Sequence, residues 1–193
     1  MLYDPFRRLR CDSKTGDPYE YIKSRLFRLL DYGYTLEAFL KSVNDWFGGL
    51  YQKGFYLEDM DMLKDNEGIL FNFVAGKSTD TVIDNVWLQL QRGGDVYLVY
   101  STTIETNEPG REAAEEIKEC IKKLENDISD IEDYVCDCPD TCNLEVNTYT
   151  DDPEEYMVNI NVNIYLSDWR CIPDIELIDK LFKKIVTCYE KSR

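Results

Sequence analysis

Alternating apolar and polar residues predict the β-strands of this chain. The clearest case is Met157 to Leu166, where five apolar residues alternate with residues that include Asn159, Asn161 and Asn163. This two-residue period is typical of a strand with one buried face and one face towards solvent. The same pattern recurs at Ile69 to Ala75, Val82 to Gln91, Val96 to Ile104 and Leu144 to Thr150. Short connections between adjacent strands favour antiparallel pairing, so we expect a five-stranded antiparallel sheet.

Apolar residues at spacings of three and four predict four helices. Asp17 and Pro18 are typical of a helix start, and the first helix should span 17–31. Thr35 can cap a second helix that Gly48 and Gly49 would end. The third helix should cover residues 111–135, and the last should begin near Pro173. On this last helix the residues expected to face inwards are Ile175, Ile178, Leu181, Phe182, Ile185 and Tyr189.

These elements predict an α+β protein with the order α-α-β-β-β-α-β-β-α and helices packed against the sheet. A chain of 193 residues is long enough for one substantial core. We therefore expect a single domain over 1–193, made of an N-terminal arm at 1–16, a helical pair at 17–49 and a sheet with two helices at 68–190.

The third helix carries a continuous apolar stripe. Its central residues are Ile117, Ile121, Leu124, Ile128 and Ile131, separated alternately by four and three positions. Such a stripe can face the core of its own chain, or it can also meet a second copy across a dimer interface. Both interpretations remain open from the sequence.

The negative charge is concentrated in one part of the chain. The formal net charge is −16, and residues 105–155 contribute −14 of it through 18 acidic and 4 basic side chains. Such a surface repels nucleic-acid phosphates, so direct DNA or RNA binding is disfavoured. Three interpretations remain: a solvated face, a surface for a basic partner, or an acidic mimic of nucleic acid that blocks a DNA-binding protein.

From about residue 35 to 190, the element order, the acidic balance and the long third helix resemble the secretion-chaperone-like fold. Class I type III secretion chaperones and the YbjN family share that fold, with the order α-β-β-β-α-β-β-α. The resemblance implies a non-enzymatic, acidic homodimer of chaperone or adaptor type that binds proteins, with residues 111–135 at the dimer interface. This chain departs from the pattern by its extra first helix and its cysteines.

Few residues suit catalysis. The chain has no histidine, which removes the most common acid or base near neutral pH, and no catalytic site or cofactor is expected. Gly76-Lys77-Ser78-Thr79 matches only the end of a phosphate-binding loop, because Phe71 stands where the first glycine belongs. The N-terminus lacks a signal-peptide pattern and no apolar run suits a membrane span, so we expect a cytoplasmic protein that does not bind membranes.

Three cysteines, Cys136, Cys138 and Cys142, lie within seven residues, and Cys171 should approach them. Together they could be free thiols, form a disulfide bond or bind a metal, and a metal- or thiol-dependent enzyme is the alternative function they allow. Seven cysteines in a chain of this length suggest mostly reduced thiols, and Cys120 and Cys188 are expected to be packing residues inside helices.

The sheet face opposite the core is the predicted binding site. By alternation it collects amides and aromatic rings, namely Trp87, Gln89, Tyr97, Tyr149, Asn159, Asn161, Asn163 and Tyr165. Protein interfaces are rich in such groups, and carbohydrate sites look similar. Alternatively, the N-terminal helices or water simply cover this face. We expect a protein partner that is basic or an extended polypeptide.

Overall fold

The computed structural model describes residues 46–62, 68–77, 79–91, 95–136, 142–152, 154–167 and 172–192. Helical turns at residues 46–52 form α1. The strands are β1 (Phe55–Met62), β2 (Gly68–Ala75), β3 (Asn85–Gln91), β4 (Val96–Glu105), β5 (Cys142–Tyr149) and β6 (Met157–Leu166). The other helices are α2 (Gly110–Lys123), α3 (Glu125–Cys136) and α4 (Ile175–Lys191).

The strands form one antiparallel sheet in the order β1-β2-β3-β4-β6-β5. The predicted α+β class and antiparallel pairing are confirmed, but the prediction of five strands is wrong because β1 adds a sixth. This strand carries Glu58, Asp59 and Asp61, and its register with β2 shifts between Leu57 and Asp59. Charges and a bulge are typical of a strand at the edge of a sheet, and they hid the alternation in the sequence.

The core lies between one sheet face and the helices. In β6, Val158, Ile160, Val162, Ile164 and Leu166 are all fully buried, as the alternation predicts. Helix α4 buries all six residues that were expected to face inwards. Its start is also as predicted, because the side chain of its N-cap residue Asp174 accepts a hydrogen bond of 3.0 Å from the backbone N–H of Glu176.

The predicted helix over 111–135 is divided at Leu124, which leaves helical geometry with φ −99° and ψ 13°. A straight helix over this stretch would be about 40 Å long, whereas the longest strands span about 33 Å. The break allows Ile128 and Ile131 of α3 to pack against the core. The predicted stop at Gly48 and Gly49 is also wrong, because α1 continues to residue 52. The predicted arm at 1–16 and helix at 17–31 lie outside the described residues.

A connection at residues 79–84 is tied to α4 by the carboxylate of Asp179. Its Oδ1 accepts hydrogen bonds from Thr81 Oγ1 at 2.7 Å and from the Val82 N–H at 2.9 Å. Its Oδ2 lies 2.6 Å from Nζ of Lys183. Burial would raise the pKa of Asp179, but the hydrogen bonds from Lys183, Thr81 and Val82 outweigh it and lower the pKa below its usual value.

The turn after α1 requires glycine at position 54. Gly54 has a φ of +89°, and a Cβ there would lie 2.6 Å from Cγ2 of Thr79. Gly54→Ala should therefore lower the free energy of unfolding by about 1–2 kcal/mol in urea denaturation. Gly48→Ala is the matched control, because nothing lies within 4 Å of its added Cβ in α1. It should be neutral or stabilise by up to about 1 kcal/mol, and equal losses in both variants would contradict the interpretation.

Asp179→Ala should lower the free energy of unfolding near pH 7 by about 1–3 kcal/mol, because it leaves the partners of a partly buried carboxylate unpaired. The pKa of Asp179 is lowered by folding. Its contribution is therefore complete above the unfolded value of about 3.9 and is lost as the pH falls through the folded pKa. Urea titrations near pH 7 and at acidic pH measure this change. The exposed Asp80→Ala is the control, and a loss that persists at low pH would oppose the assignment.

Candidate functional site

The outer sheet face, meaning the strand side chains that point away from the helices, gathers the predicted binding residues. In the register, Tyr97 stands between Gln89 and Tyr165 on its neighbouring strands. Asn159 stands beside Tyr149. The remaining pairs across this face are Asn72 with Trp87, Trp87 with Val99, Val99 with Asn163, and Asn161 with both Ser101 and Asn147. All eight predicted residues therefore belong to one continuous patch that crosses β3, β4, β6 and β5.

Hydrogen bonds between side chains hold this patch in place. The Tyr97 hydroxyl donates to Asn163 Oδ1 at 3.2 Å, and Thr103 Oγ1 donates to Asn159 Oδ1 at 2.8 Å. The amide of Asn159 in turn donates to Asp151 Oδ2 at 3.2 Å. A partner would therefore meet ordered polar groups, which reduces the entropy lost on binding.

The outer sheet face is only partly accessible to a ligand. Tyr149 is 40% exposed, whereas the other seven predicted residues are half-buried. Oδ1 of Asn161 is buried and, within the described ranges, accepts no hydrogen bond. Partial burial, and then its hydrogen bond to Asp95, raise the pKa of Tyr165 above its usual value.

Charge on this face has a single sign. The six strands contain no lysine or arginine, and their acidic residues are Glu58, Asp59, Asp61, Glu105 and Glu145. Glu58 lies at the β1 edge, where its Oε2 accepts a hydrogen bond of 3.1 Å from Asn72, and Glu145 lies on the edge strand β5. Uncharged amides and rings are thus flanked by carboxylates at both edges. The lack of lysine and arginine in the strand sequences is the signal from which this charge pattern could have been predicted.

The predicted dimer stripe lies largely within its own chain. Ile117 is fully buried in the core, and Ile121, Leu124, Ile128 and Ile131 are half-buried against it. Ile117 therefore cannot supply contact area to a second copy. Dimerisation through this stripe stays a prediction. The four half-buried residues would have to provide the contact area of the dimer interface.

Cys120 and Cys188 differ from the prediction, whereas Cys142 follows one of the alternatives that the sequence left open. Cys120 of α2 and Cys188 of α4 form a disulfide bond with a Cα–Cα distance of 5.8 Å, so they are not simple packing residues. Cys142 is also disulfide-bonded and cannot act as a thiolate ligand. Cys138, Cys171 and the side chain of Cys136 lie outside the described residues. Where the structure describes the chain, no cluster of three cysteine or carboxylate residues could hold a metal ion.

The chain matches no protein-family model, no curated protein and no solved structure at a significant level. Among the described helices, none is both long and apolar enough to cross a membrane. The resemblance to secretion chaperones stays an expectation, and the geometry and charge of the outer sheet face are the features that bear on function.

Replacing both Cys120 and Cys188 by alanine should lower the free energy of unfolding by about 2–4 kcal/mol, because their bond closes a long loop in the unfolded chain. Urea denaturation without reductant measures the loss. In excess reductant the bond of Cys142 opens in both proteins and the Cys120–Cys188 bond opens in the wild type, so the two proteins should then be about equally stable. Equal stabilities without reductant would contradict a native disulfide bond between these helices.

Proposed function

We propose that the protein is a non-enzymatic binding protein whose outer sheet face holds an extended, basic segment of a partner protein. The single observation that carries this proposal is the composition of that face, where ordered amides and rings are flanked by carboxylates and no strand contains lysine or arginine. Rings supply contact area, amides supply hydrogen bonds, and the carboxylates attract positive charge.

An extended segment suits the shape of the patch. Amide groups recur at every second residue of β6, in Asn159, Asn161 and Asn163, and this spacing matches the period of an extended chain. Two copies of this face would bring carboxylates together, so charge favours a different, basic partner over self-association.

The alternatives have less support. A thiol- or metal-dependent enzyme would need Cys142 as a thiolate, and this cysteine is disulfide-bonded. A mimic of nucleic acid would use the acidic stretch over residues 111–135, which is divided at Leu124 and does not present one continuous helix. In α2, Glu115 and Glu119 are paired with Lys118 and Lys122, which reduces the negative field further.

The disulfide bonds also bear on location. Disulfide bonds persist in oxidising compartments and, outside hyperthermophiles, are rare in the cytosol. The bonds of Cys120, Cys142 and Cys188 therefore favour an oxidising environment over the cytoplasm predicted from the sequence.

Binding of a short, unstructured peptide rich in lysine and arginine tests the proposal, with an otherwise identical glutamate-rich peptide as its counterpart. We expect saturable binding of the basic peptide only, with an affinity that falls as salt rises. Tyr149→Ala combined with Glu145→Gln removes one exposed ring and one edge carboxylate from the outer sheet face. Binding should weaken about thirtyfold, which corresponds to the loss of roughly 2 kcal/mol that marks one interface hot spot.

The matched control is Tyr134→Ala combined with Glu190→Gln. It makes the same two chemical changes at exposed positions on α3 and α4, away from the sheet, and should leave binding unchanged. Equal binding of both peptides, or equal losses in the two double variants, would overturn the assignment of this face.

A further inference from the structure

A second candidate site lies on the helical side of the molecule, where the ends of α2 and α4 meet the start of α3. Here the structure forms a shallow, open cleft with a volume of about 650 Å³. Leu124 and Cys188 contribute apolar lining. We call it the lysine cleft, because its lining includes Lys123, Lys183, Lys184 and Lys191.

The charge of the lysine cleft is opposite to that of the protein. Four lysines and one acidic residue, Asp127, line it, in a chain whose formal net charge is −16. Lys184 is paired with Asp127, and Lys183 is paired with Asp179 of the same helix. Within the described part of the chain, neither Lys123 nor Lys191 forms an ion pair. Two ammonium groups are therefore available to an anion.

Helix electrostatics explain only part of this arrangement. Lysines near a C-terminus are favoured by the helix dipole, which accounts separately for Lys123 at the end of α2 and Lys191 at the end of α4. The dipole does not require these two ends to converge on one cleft, nor does it explain Lys184 in the middle of α4. Convergence of like charges is unfavourable unless an anion offsets it.

Two links between helices fix the walls of the lysine cleft. The disulfide bond from Cys120 to Cys188 joins α2 to α4, and Cys188 belongs to the lining of the cleft. The Lys184–Asp127 ion pair joins α4 to α3. The lysine side chains thus project from helices whose spacing is set before any ligand arrives, which lowers the cost of binding.

We propose that the lysine cleft binds a small polyanion built of linked phosphoryl groups, a role separate from polypeptide binding on the opposite face. Lysines act as point charges that suit closely spaced phosphate oxygens. The hydroxyl of Thr187 adds a hydrogen-bond donor in the same lining. Phosphoryl groups could come from an inorganic polyphosphate or from a nucleotide, whose base would use the apolar lining beside Leu124.

Isothermal titration calorimetry of the full chain at low ionic strength, with tripolyphosphate and ATP as separate probes, tests this proposal. We expect saturable binding of tripolyphosphate that weakens as salt rises. Lys123→Gln combined with Lys191→Gln should weaken it about tenfold, since two charge contacts are lost. Lys118→Gln combined with Lys122→Gln is the matched control, because it removes the same charge from the exposed side of α2 outside the cleft.

The outcomes separate the alternatives. Tighter binding of ATP than of tripolyphosphate would support a nucleotide as the source of the phosphoryl groups, and equal binding would support the phosphoryl chain alone. The proposal is overturned if tripolyphosphate does not bind saturably, or if the cleft and control variants weaken binding equally. Peptide binding on the outer sheet face is measured separately, so its failure would leave this result unaffected.

Discussion

Burial of a single apolar sheet face under helices is the interaction on which the rest of the structure depends. Every second residue of β6 points towards the helices and is fully buried. Phe47 of α1 covers Phe71 and Phe73 of β2, and the rings lie 5.2 and 4.9 Å apart, centroid to centroid. The described helices pack against one face of the sheet. The opposite face carries mainly polar and aromatic side chains. Both proposed sites follow from this arrangement of layers.

An element could be predicted from the sequence where the apolar positions of its local pattern are also the positions that the fold buries. The alternation in β6 and the apolar stripe with its Asp174 cap in α4 are examples. Strand β1 was missed because acidic residues at its exposed edge obscured the alternation. The break at Leu124 could not be predicted either, because the apolar spacing continues across it without a glycine or proline to mark a helix end.

The two candidate sites differ in how far the sequence revealed them. The outer sheet face was predictable because alternation places residues of neighbouring strands on a common side, whatever the exact strand order. The lysine cleft was not, since Lys123 and Lys191 are distant in the sequence and meet only through the packing of α2 against α4. The bond between Cys120 and Cys188 was missed for the same reason, because each cysteine alone fits an ordinary helical core position.

The placement of that bond has a mechanical consequence. Cys120 and Cys188 are separated by 68 positions, and the covalent loop between them encloses α3, β5 and β6. Translocation and processive degradation draw a protein through a narrow pore as an extended chain. In the oxidised protein the closed loop could not extend, and the chain would be shorter by roughly 230 Å than the fully extended chain. The chain beyond residue 120 could then pass as a single strand only after a reductant had opened the loop.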